Sequence, residues 1–163
     1  MSELRVGLGV DLHRFVEEGS AGARPLVLGG ATIAGGRPLV GHSDADAVAH
    51  AVTDAVLGAA GLGDMGSHFP DTDPAWRDAD SLGLLAAAIA KAAGQGWRFV
   101  NADCTLVAER PRVAEVRDEM VARLSAAAGG PVHVKATRPE GLGSLGRVEG
   151  VACLAVALLE EIG

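Results

Sequence analysis

The sequence predicts an α+β fold in a single domain over residues 1–163. Segments with the alternation of β-strands and segments with the periodicity of amphipathic helices both occur, which indicates a mixed architecture. A chain of 163 residues has the length of one ordinary domain. Hydrophobic residues make up 48% and charged residues 21%, proportions that exclude disorder of the whole chain. We find no internal repeat and no linker that would divide the sequence.

Several segments have strand character. Strands are predicted over residues 4–10, 25–28, 31–33, 97–108 and 132–137. The two short ones flank Gly29 and Gly30, as expected for a hairpin. Residues 151–162 form an apolar run that fits a buried strand and a buried helix equally well.

Three segments have helical periodicity. They cover residues 44–60, 80–93 and 111–128. Ser43 or Asp44 is the expected N-cap of the first helix, and Gly61 follows its expected end. The intervening segments 61–79 and 138–150 are rich in glycine and polar residues and are predicted to be loops.

Composition limits the possible partners and location. The net charge of −7 argues against a basic nucleic-acid-binding surface. With 23 glycines and only 3% aromatic residues, the core has little bulky apolar material, so a buried subunit interface is expected. Cys104 and Cys153 fit two buried thiols better than a disulfide or a cysteine zinc site. No signal peptide or membrane span is recognisable, so we expect a cytoplasmic protein without a membrane partner.

A possible metal site begins at the end of the first strand. Asp11 and His13 are two residues apart, so their side chains lie on the same face if the strand continues. A carboxylate and an imidazole suit zinc. One of His42 and His50, at the start of the first predicted helix and within it, completes a three-ligand site with an open fourth position. Such a site is typical of catalytic zinc.

The helix that carries His50 offers partners for this histidine. Asp46 and Asp54 lie one turn before and after it, so either is a candidate to orient the second ring nitrogen. The alternative interpretation of these carboxylates is a solvated acidic face of the helix.

Two glycine-containing segments lead to different predictions. Gly7 and Gly9 begin a dinucleotide-binding pattern, but Leu12 occupies the third glycine position and no helix follows, which excludes that motif. Residues 135–146 end a strand with a cation, a hydroxyl and a carboxylate and then contain three glycines. This composition is found in phosphate-binding loops and also in ordinary surface loops.

Four blocks in this order resemble the motifs of the 2-C-methyl-D-erythritol 2,4-cyclodiphosphate synthase family. The first block is GVDLHRF at 9–15, and the second is GHSDAD at 41–46 with His50. The third is LGDMG at 62–66, followed by FPDTDP at 69–74 and ADS at 79–81. The fourth is KAT at 135–137, with Glu140, LG at 142–143, GR at 146–147 and EG at 149–150. Together they cover nearly the whole chain.

The resemblance implies a fold, an assembly and a reaction. The fold is a mixed β-sheet covered by helices on one face, and the assembly is a homotrimer around the sheets with sites between subunits. The reaction converts 4-diphosphocytidyl-2-C-methyl-D-erythritol 2-phosphate into 2-C-methyl-D-erythritol 2,4-cyclodiphosphate and CMP. This is a phosphorus–oxygen lyase step in non-mevalonate isoprenoid precursor biosynthesis.

The resemblance also implies roles for individual residues. Zinc is expected on Asp11, His13 and His50, and a second cation, Mg²⁺ or Mn²⁺, on the diphosphate near Glu140. Catalytic roles are expected for His42 and for Arg138. Substrate contacts are expected from Asp11, His13, His42, Ser43, Asp64, Met65, Gly66, Phe69, Pro70, Asp71, Thr72, Asp73, Ala108, Arg112, Val113, Ala114, Thr137, Glu140 and Arg147.

The sequence departs from the family pattern in its closing block. Arg138 stands where the family has a threonine with a role in the transition state, and Ser144 stands where an aromatic residue or leucine is common. Two alternatives therefore stay open. One is a zinc-dependent phosphohydrolase that uses the same ligands to activate water. The other is a non-catalytic trimer that binds cytidine nucleotides.

Overall fold

A four-stranded mixed sheet lies at the centre of the computed structural model, which describes residues 2–20, 24–77 and 79–163. The strand order is β1 (Leu4–Arg14), β6 (Gly150–Glu161), β4 (Trp97–Val107) and β5 (Val132–Thr137). Both β1 and β4 run antiparallel to β6, whereas β5 runs parallel to β4. The predicted mixed sheet is confirmed, and the ambiguous segment at the end of the chain is a strand.

A short hairpin forms a separate two-stranded sheet. Its strands are β2 (Leu26–Leu28) and β3 (Ala31–Ile33). Gly29 and Gly30 both have positive φ angles, of 58° and 75°, which the tight turn between twisted strands requires. The hairpin was predicted at these residues.

Three long helices pack against one face of the large sheet. They are α1 (Ala47–Ala59), α3 (Ser81–Gly94) and α4 (Arg117–Ala128). Helix α1 contacts β1 and β6, α3 contacts α1 and β4, and α4 contacts β5. The short helices α2 (Met65–His68) and α5 (Gly143–Gly146) and a 3₁₀ turn at Pro74–Trp76 lie within the two segments predicted as loops. Residue 78 of the first segment is outside the described part of the chain.

Two helix starts differ from the prediction. The first helix begins at Ala47 because Asp46, not Ser43 or Asp44, is its N-cap, and the Asp46 carboxylate accepts hydrogen bonds from the Val48 and Ala49 amides. The third was predicted from residue 111 but begins at Arg117. Residues 113–116 form a turn first, and helical bonding starts with the Met120 amide.

Glycines allow α1 to lie directly on β1. A Cβ atom at Gly7 would stand 2.0 Å from the carbonyl oxygen of Ala55, and one at Gly9 would stand 1.9 Å from that of Ala51. No other residue type fits at such distances. The glycine pattern of β1 therefore serves close helix–strand packing, which brings His50 of α1 next to the end of β1.

The opposite face of the sheet is open and apolar. Leu8 is 62% exposed, and Val156 lies opposite it on β6. The other exposed apolar side chains of β1 and β6 are Leu4, Val6, Val10, Leu12 and Leu154. We call these seven residues the apolar sheet face. Patches of this kind on a soluble-protein surface typically mark an interaction site.

Both cysteines belong to the core. Cys104 on β4 and Cys153 on β6 are buried and free, as predicted. Contact with Cys104, together with burial, raises the pKa of the Cys153 thiol, so Cys153 is protonated and unreactive. Across the described residues, no helix is long and apolar enough to cross a membrane.

Candidate active site

Asp11, His13 and His50 converge at one point. The first two project from the helix-covered face of β1, and the third comes from the first turn of α1. Asp11 Oδ2 lies 2.9 Å from His13 Nε2 and 3.3 Å from His50 Nδ1. One donor atom from each residue lies within 4.8 Å of the other two. His50, not His42, is therefore the histidine that joins the strand pair.

The donor atoms of this cluster fit a metal ion. Asp11 Oδ2 and His13 Nε2 are buried, and neither has a hydrogen-bond partner within the described residues. Leaving such atoms unpaired in the interior is costly, and a shared cation would satisfy both. One carboxylate oxygen and two imidazole nitrogens form a donor set that zinc accepts, with a fourth position left for another ligand.

Each histidine has a further contact that sets its orientation. His13 Nδ1 donates to the carbonyl oxygen of Val40 at 2.8 Å, which leaves Nε2 with the lone pair. His50 Nε2 lies 3.2 Å from the Ser43 hydroxyl oxygen, so a proton on Nε2 would leave Nδ1 free to coordinate.

The prediction that Asp46 or Asp54 orients His50 is wrong. The buried Asp46 carboxylate accepts five hydrogen bonds from other groups: the amides of Gly29, Gly30, Val48 and Ala49 and the Ser81 hydroxyl. Asp54 accepts from the Met65 amide at 3.1 Å. Asp46 instead joins the hairpin turn, the start of α1 and the start of α3, and thereby fixes the position from which His50 projects.

The three side chains of the cluster shift the protonation of one another. Burial raises the pKa of Asp11, but the close contacts and the charge of His13 and His50 outweigh that effect and lower the pKa to about 2. Burial lowers the pKa of His13, but the Asp11 carboxylate outweighs that effect and raises it above 6.5. Asp11 is therefore charged at neutral pH, and a cation competes with a proton for His13.

The cluster opens into a cleft of about 470 Å³, which we call the metal cleft. His42 lines it, and its Nε2 atom is buried without a partner among the described residues. The other predicted residues that line it are Ser43, Met65, Gly66, Phe69, Pro70 and Asp71. Trp76, which was not among the predicted residues, also lines it and packs edge-on against Phe69 with 5.1 Å between ring centroids.

A second cleft of about 300 Å³ lies where β4 and β5 end, and we call it the nucleotide cleft. The predicted residues that line it are Ala108, Arg112, Val113, Ala114, Thr137 and Arg138. Glu109, which lies between the predicted residues Ala108 and Arg112, lines it as well, and so does Arg117, which was not predicted. Its walls combine small apolar side chains with three guanidinium groups, a lining suited to a planar base with an anionic group attached.

Five predicted residues line neither cleft: Asp64, Thr72, Asp73, Glu140 and Arg147. Asp64 caps α2 by accepting from the Ser67 amide at 2.8 Å, and Asp73 caps the 3₁₀ turn through the Ala75 amide. Arg147 pairs with Glu149 at 2.7 Å. Their proposed substrate contacts stay predictions.

The two clefts lie at the same end of the sheet but on opposite edges. Asp11 of β1 and Thr137 of β5 are separated by two strands, which corresponds to roughly 14 Å between the edge strands. Among the described residues, the clefts share no lining side chain.

The YgbB family matches residues 4–160 of the sequence. This chain belongs to that family. A 2-C-methyl-D-erythritol 2,4-cyclodiphosphate synthase of Geobacillus kaustophilus is 52% identical over 160 residues, which are 96% of this chain and 98% of the relative. The predicted family and enzyme class are thereby confirmed.

Two further similarities concern architecture and ligand. A bifunctional enzyme IspD/IspF of Anaeromyxobacter dehalogenans is 56% identical over 156 residues, 94% of this chain but only 39% of the relative. The chain thus spans well under half the length of that relative. The solved structure described as the IspF (Plasmodium falciparum) CDP complex has a TM-score of 0.81 and 27% identity, over 98% of this chain and 97% of the other.

Proposed function

We propose that this chain cyclises 4-diphosphocytidyl-2-C-methyl-D-erythritol 2-phosphate with release of CMP, using the metal cleft and the nucleotide cleft together. The observation that carries the proposal is the cluster of Asp11, His13 and His50, in which Asp11 Oδ2 and His13 Nε2 are buried without a hydrogen-bond partner in the described part of the chain. His42 and Ser43 line the same cleft, which supports the proposal.

The reaction requires correct positioning of the substrate phosphates more than it requires proton transfer. An oxygen of the 2-phosphate attacks the β-phosphorus and forms a new phosphorus–oxygen bond. The bond from that phosphorus to the oxygen bridging to the α-phosphorus breaks, and CMP leaves with the electron pair. A phosphate monoester has a second pKa near 6, so the attacking group is already mostly ionised at neutral pH. The protein must align the two phosphates and neutralise their charge.

Asp11, His13 and His50 would hold zinc in this site. The bound ion supplies a positive charge that polarises and orients a phosphate oxygen. We place a second divalent cation, Mg²⁺ or Mn²⁺, with the diphosphate and assign Glu140 to it. An acidic protein needs such cations to bind a polyanionic substrate.

His42 and Ser43 act directly on the substrate in this proposal. The unpartnered Nε2 atom of His42 can hydrogen-bond a phosphate oxygen as charge develops on it. Residues 64–66 approach the ribose and its surroundings in this proposal, and residues 69–73 border the erythritol part of the substrate.

The nucleotide cleft takes the cytidine part. Ala108, Val113 and Ala114 supply small apolar walls for the base, while Arg112 and Arg138 supply charge for the phosphates. Thr137 adds a hydroxyl at the end of β5. The relative solved with CDP supports a cytidine nucleotide as the ligand class.

A homotrimer would bring the two clefts of neighbouring subunits together. The apolar sheet face supports this assembly, because it is a surface that needs a partner. Leu8→Glu should therefore give smaller particles by light scattering and lower turnover, whereas Ile162→Glu, outside the apolar sheet face, should leave the assembly intact. A cytoplasmic location belongs to the same proposal, since the substrate is a nucleotide-activated metabolite.

The deciding experiment is an assay of the full chain with the cytidyl substrate, zinc and magnesium in ¹⁸O-labelled water. We expect the cyclic diphosphate and CMP by ³¹P NMR, without label in the product. A linear product carrying ¹⁸O would instead establish the phosphohydrolase. CDP binding without turnover would establish the nucleotide-binding trimer. His50→Ala should lose metal and turnover, and His133→Ala, an exposed histidine on β5, should lose neither.

A further inference from the structure

An ion pair lies at the mouth of the nucleotide cleft. Glu109 follows β4 and Arg138 follows β5, and because these strands are parallel neighbours, the two residues come together at one edge. Glu109 Oε1 accepts a hydrogen bond from Arg138 Nε at 2.9 Å and another from Nη2. The carboxylate therefore holds the guanidinium on its Nε side.

This contact leaves the other edge of the guanidinium available. Of its five N–H donors, the two that meet Glu109 are occupied, and the remaining three, on Nη1 and Nη2, have no partner among the described residues. The edge formed by Nη1 and Nη2 makes paired hydrogen bonds with phosphate oxygens. Arg138 is 52% exposed and lines the cleft, so a bound ligand can reach that edge.

The same carboxylate also holds the backbone that follows Arg138. Glu109 Oε2 accepts from the Gly141 amide at 3.2 Å. Gly141 and the preceding Glu140 both have left-handed φ angles, of 74° and 54°, so the chain turns sharply there. Hydrogen bonds from Arg138 and Gly141 lower the pKa of Glu109, which is therefore charged at neutral pH. One side chain thus fixes the direction of the guanidinium and the course of the turn.

We propose that Glu109 is a positioning residue, which aims Arg138 at the phosphates of a cytidine diphosphate bound in the nucleotide cleft. The inference rests on the proposed function for the identity of the ligand. It assigns Glu109 no contact with the substrate. A long, exposed arginine samples many rotamers, and the carboxylate selects one in which the free edge faces the ligand.

The competing hypothesis is that Glu109 weakens the binding of phosphate by Arg138. If the carboxylate only neutralised Arg138, it would compete with phosphate, and its removal would tighten binding. The sign of the change in affinity therefore separates positioning from competition.

The test compares CDP with cytidine, which shares the base and ribose but has no phosphate, as ligands of the metal-loaded full chain by calorimetry. Glu109→Gln should weaken CDP binding about tenfold, which corresponds to about 1.4 kcal/mol. It should leave the affinity for cytidine unchanged. Arg138→Met should have a similar effect, and the double variant should be no weaker than Arg138→Met alone. Glu109→Asp should recover part of the loss. Glu119→Gln, which breaks an exposed glutamate–arginine pair on α4, is the matched control and should change neither affinity.

Four results would overturn the proposal. They are the absence of CDP binding to the wild-type protein, tighter CDP binding by Glu109→Gln, equal losses of affinity for CDP and cytidine in Glu109→Gln, and additive losses of CDP affinity in the double variant. If the protein does not cyclise the substrate, but Glu109→Gln and Arg138→Met still weaken CDP binding without adding to each other, only the proposed function is refuted. If the protein cyclises the substrate normally, but the losses of CDP affinity in the two single variants are additive, only the role of Glu109 is refuted.

Discussion

The metal cleft and the nucleotide cleft are built in different ways. The ligand cluster projects from a strand and a helix in direct backbone contact, since Gly7 and Gly9 leave no side chains between them. In the nucleotide cleft, Glu109 and Arg138 lie on segments that follow strands, and their contact is an ion pair at the protein surface. The comparison indicates that the metal cleft is fixed by the core, whereas the nucleotide cleft is adjusted by surface contacts.

A buried anchor reinforces this difference. The Asp46 carboxylate ties the hairpin turn, α1 and α3 together four residues before His50. Glu109 has the corresponding place in the nucleotide cleft, but its side chain is only partly buried and its partner Arg138 is half exposed, a setting in which charge pairs contribute little to stability. Substitutions near the metal cleft should therefore affect folding, and substitutions near the nucleotide cleft should affect binding.

The largest effect should come from Gly9→Ala. The added methyl group would meet the Ala51 carbonyl oxygen at 1.9 Å, so α1 must move away from β1. We expect the free energy of unfolding to fall by about 3 kcal/mol, measured by urea titration. Because α1 carries His50, zinc affinity should fall as well.

Gly58→Ala on the same helix is the control. Nothing lies within 4 Å of a Cβ atom at Gly58, and alanine favours helix by about 1 kcal/mol over glycine. This variant should be slightly more stable than the wild type. If Gly9→Ala were equally well tolerated, close packing between α1 and β1 would not be what places His50.

The next largest effect concerns the choice between two histidines. His50→Ala should weaken zinc binding by more than about a hundredfold, because it removes one of three ligands. His42→Ala should keep its zinc and lose turnover, since His42 lines the metal cleft outside the cluster. Metal content by mass spectrometry and turnover of both proteins provide the check. Loss of zinc from His42→Ala with retention in His50→Ala would reverse the ligand assignment.

Lowering the pH should weaken zinc binding by a smaller factor than removal of a ligand does. The pKa of His13 is raised above 6.5 in the metal-free protein, so zinc must displace a proton from His13 at lower pH. The pKa of Asp11 is about 2, so this carboxylate does not titrate in the same range. We expect up to tenfold weaker binding per pH unit on the acid side, measured by chelator competition between pH 5.5 and 8.5. A flat profile would show that His13 is no ligand.

The metal-free protein should show the opposite dependence in its stability. A raised folded-state pKa means that His13 binds its proton more tightly than in the unfolded chain. That contribution to stability is complete below pH 6.5 and is lost as the pH rises through the folded-state pKa of His13.

Much of the metal cleft could be predicted because two of its ligands are close to each other in the sequence. The two-residue spacing of Asp11 and His13 on a strand determines their common face. Spacing alone left His42 and His50 as alternatives, and only the family resemblance selected His50, because the choice depends on where α1 begins. That start is set by Asp46, whose five hydrogen-bond donors come from three separate segments. Spacing on a helix alone suggested a different partner for Asp46.

The nucleotide cleft was less predictable for a related reason. The resemblance selected Arg138 and Thr137 at the end of β5, but no sequence pattern indicated that Glu109 pairs with Arg138. The two charged residues are 29 positions apart and meet only because β4 and β5 are parallel neighbours. A glutamate after a strand is common on protein surfaces, so the ion pair is visible only in three dimensions.

The smallest effect on folding should come from Arg138→Met. Its side chain is exposed, and its ion pair with Glu109 is open to solvent, so the core loses no contact when the charge is removed. We expect an unchanged urea midpoint and unchanged zinc content, together with the weaker CDP binding argued above. A clear loss of stability in this variant, comparable with that of Gly9→Ala, would show that the nucleotide cleft is as firmly tied to the core as the metal cleft. In that case the division between a cleft fixed by packing and a cleft adjusted at the surface would not hold.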